Sequence, residues 1–171
     1  MAYPSGDMNF KRIALLPLLA SALLLAACGG SKDSGASSTP TNPGDGRPIE
    51  ISADDKMMFS LAEIRAKPGE KLSVTLVNKG AMPKQTMAHN WVLLVQGTNL
   101  NEFNNAAALA VSTEYIPDKF KDAVVAHTRI LGPKERDTVT FTAPTTPGRH
   151  LFICSFPGHF QVGMKGVLIV E

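Results

Sequence analysis

Cys154, His159 and Met164 stand in one short stretch, Cys-Ser-Phe-Pro-Gly-His-Phe-Gln-Val-Gly-Met, just ahead of the last apolar run of the chain. A second imidazole, His89, opens another apolar run in Met-Ala-His-Asn-Trp. One thiolate, two imidazoles and one thioether are a donor set suited to copper. Sulfur ligands favour Cu(I), imidazole accepts both valences, and a long axial thioether completes a site that can transfer one electron. Such a site works because the protein holds nearly one geometry for both oxidation states.

Other uses of these residues fit less well. Alone, Cys154 would be a structural buried cysteine. With His159 it could be a nucleophile and its base, but no third orienting group or oxyanion motif accompanies them, and a thioether has no role there. The chain is therefore not read as an enzyme. Zinc gains little from a thioether, and its structural sites prefer further thiolates. A binuclear copper centre would want a second cysteine in the loop, and there is none. His127 and His150 read as solvated surface residues without a ligand role. Met57, Met82, Met87, Phe156 and Phe160 read first as core or gap-filling side chains.

The charge balance restricts the partners. Among 171 residues the net charge is +2, with no Lys/Arg cluster, so no nucleic-acid footprint is present. The only two cysteines, Cys28 and Cys154, lie in unlike contexts and are not expected to pair.

The first segment is an address. Lys11 and Arg12 precede an apolar run from Ile13 to Ala27, the pattern of a secretory signal and too short for a membrane span. Leu25-Ala26-Ala27-Cys28 resembles a bacterial lipobox, which implies cleavage after residue 27 and lipidation of Cys28. Several acyl chains give stable anchoring where one is marginal. Gly29 in place of Asp favours an outer-membrane destination in a Gram-negative cell. Residues 28–48 are rich in Ser, Gly, Thr, Pro and Asn, a composition that cannot offset its ordering entropy. About 20 such residues reach roughly 25 Å, enough to tether a mobile domain.

From residue 49 to 171 the period is mostly two. Ile49, Ile51 and Ala53 alternate with polar residues, as do Met57, Phe59 and Leu61 after an Asp54-Asp55-Lys56 turn. Leu72, Val74 and Leu76 follow the Lys67-Pro68-Gly69-Glu70 turn. Residues 90–95 and 124–131 are more continuously apolar, 138–143 alternate, and 149–154 with 167–170 close the series. Short strands between Pro/Gly turns predict an all-β, Greek-key two-sheet β-sandwich of about eight strands. In residues 97–122, Leu100, Phe103, Ala107 and Ala110 have near-helical spacing, which predicts a short helical insertion outside the sandwich, with asparagines as caps.

The segments His89-Asn-Trp-Val-Leu, Val125-Ala-His-Thr-Arg-Ile-Leu-Gly132, Asp137-Thr-Val-Thr-Phe141, Phe152-Ile-Cys-Ser-Phe-Pro-Gly-His159 and Gly163-Met-Lys-Gly166 resemble azurins and auracyanins, the blue (type 1) copper cupredoxins. The resemblance implies that His89, Cys154 and His159 form a trigonal plane around one copper, with Met164 axial. It places the Ala88 carbonyl opposite Met164 and gives Asn90 the role of tying the two ligand loops together. It sets Met57 and Phe156 around the copper-binding end. This chain departs from azurins in having Ala88 where they carry Gly, four residues between His159 and Met164 as in auracyanins, and no N-terminal disulfide.

The expected function is that of a lipid-anchored, periplasmic or otherwise extracytoplasmic electron carrier in a respiratory or photosynthetic chain. By the same resemblance its partners are redox proteins such as c-type cytochromes, or membrane quinol-oxidising or oxidase complexes. The carrier itself is expected to be a monomer. The competing class is copper handling, as a chaperone or storage protein, for which several methionines outside the site would speak.

Overall fold

The computed structural model describes residues 46–171. The signal segment 1–27, the lipidation residue Cys28 and nearly all of the linker 28–48 lie outside the described residues. Eight strands form two sheets. One carries β1 (Arg47–Ala53), β3 (Lys71–Asn78) and β6 (Arg136–Thr142), in the order β1-β3-β6. The other carries β2 (Glu63–Ala66), β8 (Lys165–Val170), β7 (Gly148–Ile153), β4 (Val92–Leu94) and β5 (Val124–His127), in that order. β1 runs parallel to β3 and β2 parallel to β8; the other pairs are antiparallel.

The inward faces explain the period of two. Ile49 and Ile51 of β1, Leu72, Val74 and Leu76 of β3 and Phe141 of β6 meet Leu93, Phe152, Leu168 and Val170 of the second sheet in one core. Trp91 sits at its centre, fully buried, its ring 5.7 Å from Phe141 and 5.5 Å from Phe152. The outer face of the first sheet is polar, with Ser73–Thr140 and Thr75–Thr138 hydroxyl pairs across β3 and β6.

Two stretches lack alternation because they are buried on both sides. On β4, Leu93 faces the sandwich interior while Val92 and Leu94 face outward; on β7, Phe152 and Ile153 divide the same way. The outward residues are covered by helix α2 (Leu100–Ala107), which follows the four-residue helix α1 (Lys84–Met87) and buries Phe103 and Ala107. Asn99 caps α2, its Oδ1 accepting the Glu102 N–H at 3.2 Å. Ala110, the last residue of the predicted spacing, lies beyond the helix end; 3-10 turns at Val111–Thr113 and Asp118–Ala123 finish the insertion.

Strand β1 starts at Arg47, where Arg47 and Pro48 already pair with Leu72 and Ser73. Two expectations are corrected. Met57, Phe59 and Leu61 do not form a strand. Lys56 donates its N–H to the Asp54 carboxylate, Met57 takes a left-handed φ of 57°, and only Ala53 and Phe59 form a bridge. His150 is buried, not solvated, and neither ring nitrogen has a hydrogen-bond partner. It shares the inward side of β7 with Phe152 and lines a cavity with Val125 and Thr142. Strand β2 went unread because its four residues include Glu63 and Arg65, leaving only Ile64 and Ala66 to signal burial.

Candidate metal centre

Two loops at one end of the sandwich bring the chemistry together. His89 follows α1 and is held by main-chain bonds with Leu131, N–H to carbonyl at 3.0 Å and its reciprocal at 2.8 Å. Cys154 leaves the end of β7, and the chain turns back to Met164 before β8. That turn is closed by Cys154 N–H to the Met164 carbonyl at 3.1 Å, Met164 N–H to the His159 carbonyl at 3.0 Å and His159 N–H to the Phe156 carbonyl at 3.1 Å. Gly163 supplies the φ of 100° that lets four residues separate His159 from Met164, a backbone region costly to any side chain.

The ligating atoms of His89, Cys154 and His159 all lie within 4.8 Å of one another. Cys154 Sγ is 3.4 Å from His159 Nδ1, and the two imidazole centroids are 4.9 Å apart. His89, Cys154 and Met164 are fully buried, whereas His159 retains 3% of its surface. The Phe156 ring packs 4.8 Å from His159 and is itself buried. Met57 is half-buried against the same core, and Ala88 is buried with extended backbone.

Asn90 joins the two loops. Its Oδ1 accepts the Ser155 N–H at 2.8 Å, its Nδ2 donates to Ser155 Oγ at 2.8 Å, and Nδ2 also reaches the Glu114 carbonyl at 3.3 Å. Ser155 and Glu114, as partners of Asn90, carry no sequence signal that would have named them. The same is true of Asp54, whose carbonyl faces the His89 ring without completing a hydrogen bond.

Electrostatics favour a metal over protons. Burial pushes the Cys154 thiol up to about 12, opposed by the main-chain N–H groups of Asn90 and Phe156. Burial, and then the neighbouring His89, push His159 down to about 4. Burial also lowers His89, opposed by the Asp54 carbonyl and the Asp55 and Asp54 carboxylates. At neutral pH the imidazoles are free bases, and the proton that a metal must displace is the one on sulfur. A buried ring with neither nitrogen partnered, as at His89, is costly unless something ligates it. The donor set and this orphaned ring fit copper.

Comparison with known proteins agrees. Residues 49–171 match the model of copper binding proteins of the plastocyanin/azurin family. The chain belongs to that family. It is 38% identical over 124 residues to azurin-1 of Alcaligenes xylosoxydans xylosoxydans, covering 70% of this chain and 94% of the relative. It is 30% identical over 163 residues to azurin of Pseudomonas aeruginosa, covering 93% and 95%. Among solved structures it is similar to dithionite-reduced auracyanin from the photosynthetic bacterium Roseiflexus castenholzii, with a TM-score of 0.65, 30% identity and coverage of 72% and 96%. The blue copper protein auracyanin A of Chloroflexus aurantiacus matches with a TM-score of 0.65 and 28% identity. This family member is thus an azurin/auracyanin-type cupredoxin whose His89, Cys154 and His159 are arranged for one type 1 copper.

Proposed function

We propose that this cupredoxin is a one-electron carrier, with His89, Cys154 and His159 as the equatorial copper ligands and Met164 as the weak axial one. The observation that carries this reading is the convergence of three buried donor atoms within 4.8 Å, one imidazole lacking any other partner. When bound, copper supplies a centre that accepts and releases one electron, its potential set by the axial ligand and by hydrogen bonds to the sulfur. The chain's own part is to hold the donors still. Asn90 locks the Cys154 loop to the His89 loop, and the bonded turn from Cys154 to Met164 fixes the rest. Burial excludes water from three donors, while the small exposed portion of His159 offers an edge to a partner.

The partners are redox proteins, c-type cytochromes or membrane quinol-oxidising or oxidase complexes, met through small transient interfaces. The carrier is a monomer, lipid-anchored at Cys28 in the cell envelope, with the domain on the periplasmic or extracytoplasmic side and no catalytic activity of its own. Among the described residues no helix is long and apolar enough to cross a membrane. Copper storage or delivery is the alternative, favoured by the exposed methionines Met58 and Met82. The buried, closed ligand set opposes easy release. The deciding experiment is a redox titration of the copper-loaded chain in visible light. An intense thiolate-to-copper band that bleaches reversibly, and is absent in Cys154→Ser, supports shuttling. A colourless complex that exchanges Cu(I) readily overturns it.

A further inference from the structure

Asp55 lies on the loop that faces His89, and it staples that loop to the segment leading into the same histidine. Its Oδ2 accepts the Ala81 N–H at 2.9 Å and its Oδ1 the Met82 N–H at 3.4 Å. Beside it, Lys79 donates its N–H to the Ala53 carbonyl at 2.7 Å. Gly80 donates to Asn78 Oδ1 at 2.8 Å, and Asn78, itself buried, donates Nδ2 to the Leu131 carbonyl at 3.1 Å. That carbonyl is the one that also holds the His89 N–H. The Asp55 bond to the Ala81 amide, the Gly80-Ala81 backbone and the Asn78 bonds therefore tie the Asp55 carboxylate to the backbone of His89.

The packing shows that the carboxylate has an allotted place. A Cβ on Gly80 would fall 2.3 Å from Asp55 Oδ1, 3.1 Å from its Cγ and 3.0 Å from Asn78 Oδ1. Only a residue without a side chain lets the carboxylate approach this closely. Asp55 is half-buried and makes no ion pair among the described residues, so no cation cancels its charge at short range.

We propose that Asp55 is a positioning residue for the metal centre, which fixes the His89 loop through the Ala81 and Met82 amides and places a fixed negative charge on the His89 side of the site. A nearby negative charge stabilises the higher metal valence more than the lower one, because Coulomb energy scales with the charge it meets. Asp55 therefore holds the reduction potential down. This rests on the electron-carrier reading for its effect on potential, but not for its effect on the His89 ring.

The test uses the full chain, copper-loaded and copper-free, with Asp55→Asn, Gly80→Ala and, as a distant control, Glu50→Gln. Asp55→Asn keeps the shape and one acceptor but removes the charge; Gly80→Ala keeps the charge but displaces it. The expected result is a higher reduction potential in Asp55→Asn with the visible band retained, and a changed potential in Gly80→Ala. The nitrogen resonances of the His89 ring in the copper-free protein shift in both variants and stay put in Glu50→Gln. Exchange of the Ala81 and Met82 amides in Asp55→Asn becomes about tenfold faster, as expected for loss of a charged hydrogen-bond acceptor. An unchanged potential and unchanged His89 ring signals, with faster amide exchange alone, overturn the proposal and leave Asp55 a loop staple. If the wild-type chain shows no copper band, the carrier reading fails separately, and the copper-free ring signals still decide for or against Asp55. Should Asp55→Asn not fold, Gly80→Ala carries the same decision.

Discussion

Asn90 and Ser155, 65 residues apart in the chain, make a reciprocal pair: Asn90 Oδ1 accepts the Ser155 N–H and Asn90 Nδ2 donates to Ser155 Oγ, both at 2.8 Å. Both residues are buried, so the amide is the fastener between the His89 loop and the Cys154 loop. Asn90→Ala strands the Ser155 N–H and Oγ away from water. An unsatisfied buried polar group costs about 1–3 kcal/mol, and the expected loss is at least about 2 kcal/mol. Urea denaturation of the copper-free protein measures it. The copper-loaded variant should also show a broadened or shifted visible band, since Cys154 adjoins Ser155.

Met164 offers a cleaner separation of metal chemistry from folding. It is wholly buried, and leucine nearly conserves its volume, so Met164→Leu should lower stability by less than about 1.5 kcal/mol. Leucine provides no lone pair. Losing a weak donor disfavours the higher valence, and the reduction potential should rise while the intense band from the Cys154 sulfur persists. Voltammetry on both proteins checks the direction. A potential identical to wild type would remove Met164 from the ligand set.

The donor residues could be read from the chain because Cys154, His159 and Met164 fall in one loop, where spacing in sequence is nearly spacing in space. His89 lies far away in sequence, so donor chemistry could suggest it as the second imidazole, but its spacing could not place it beside them. The strands with one wet face, β1, β3 and β6, announced themselves by alternation. β4 gave no alternation because α2 covers its outer side, a tertiary fact. Met57 and Phe59 alternate as a strand would, yet the Asp54 side chain captures the Lys56 N–H and turns the chain first. His150 misled for a similar reason. Its neighbour Arg149 is exposed, but strand geometry turns the next residue inward.

That inward turn has a measurable consequence. His150 is buried with both nitrogens unpartnered, and replacing such a group with an apolar one of similar shape removes a desolvation penalty. His150→Leu should therefore leave stability unchanged or raise it by up to about 2 kcal/mol, unlike most core substitutions, which lower it. The midpoint of urea unfolding reports the change. A loss above about 1 kcal/mol would mean that the imidazole makes a bond in solution.

Two depressed acids, Glu70 and Glu135, should set part of the acid response. The Arg47 guanidinium at 2.6 Å, and then the Lys67 N–H at 2.8 Å, hold the Glu70 carboxyl below its ordinary value of 4.5. The Gly132 N–H, and then Lys84, do the same for Glu135. For a depressed acid the unfolded chain takes up protons first as pH falls. The stabilisation is complete above about pH 5.5 and is lost as pH drops through 4.5 toward the lower folded values. Glu70→Gln should accordingly be less stable than wild type at pH 7, by about 0.5–1 kcal/mol for so exposed a pair. The two proteins should converge as pH falls through the lowered folded value of Glu70, below which the wild-type carboxylate is protonated as well. Unfolding free energies measured from pH 7 to pH 3 test the sign. A gap that widens on acidification would show that the Arg47–Glu70 pair is not what holds the acid limb.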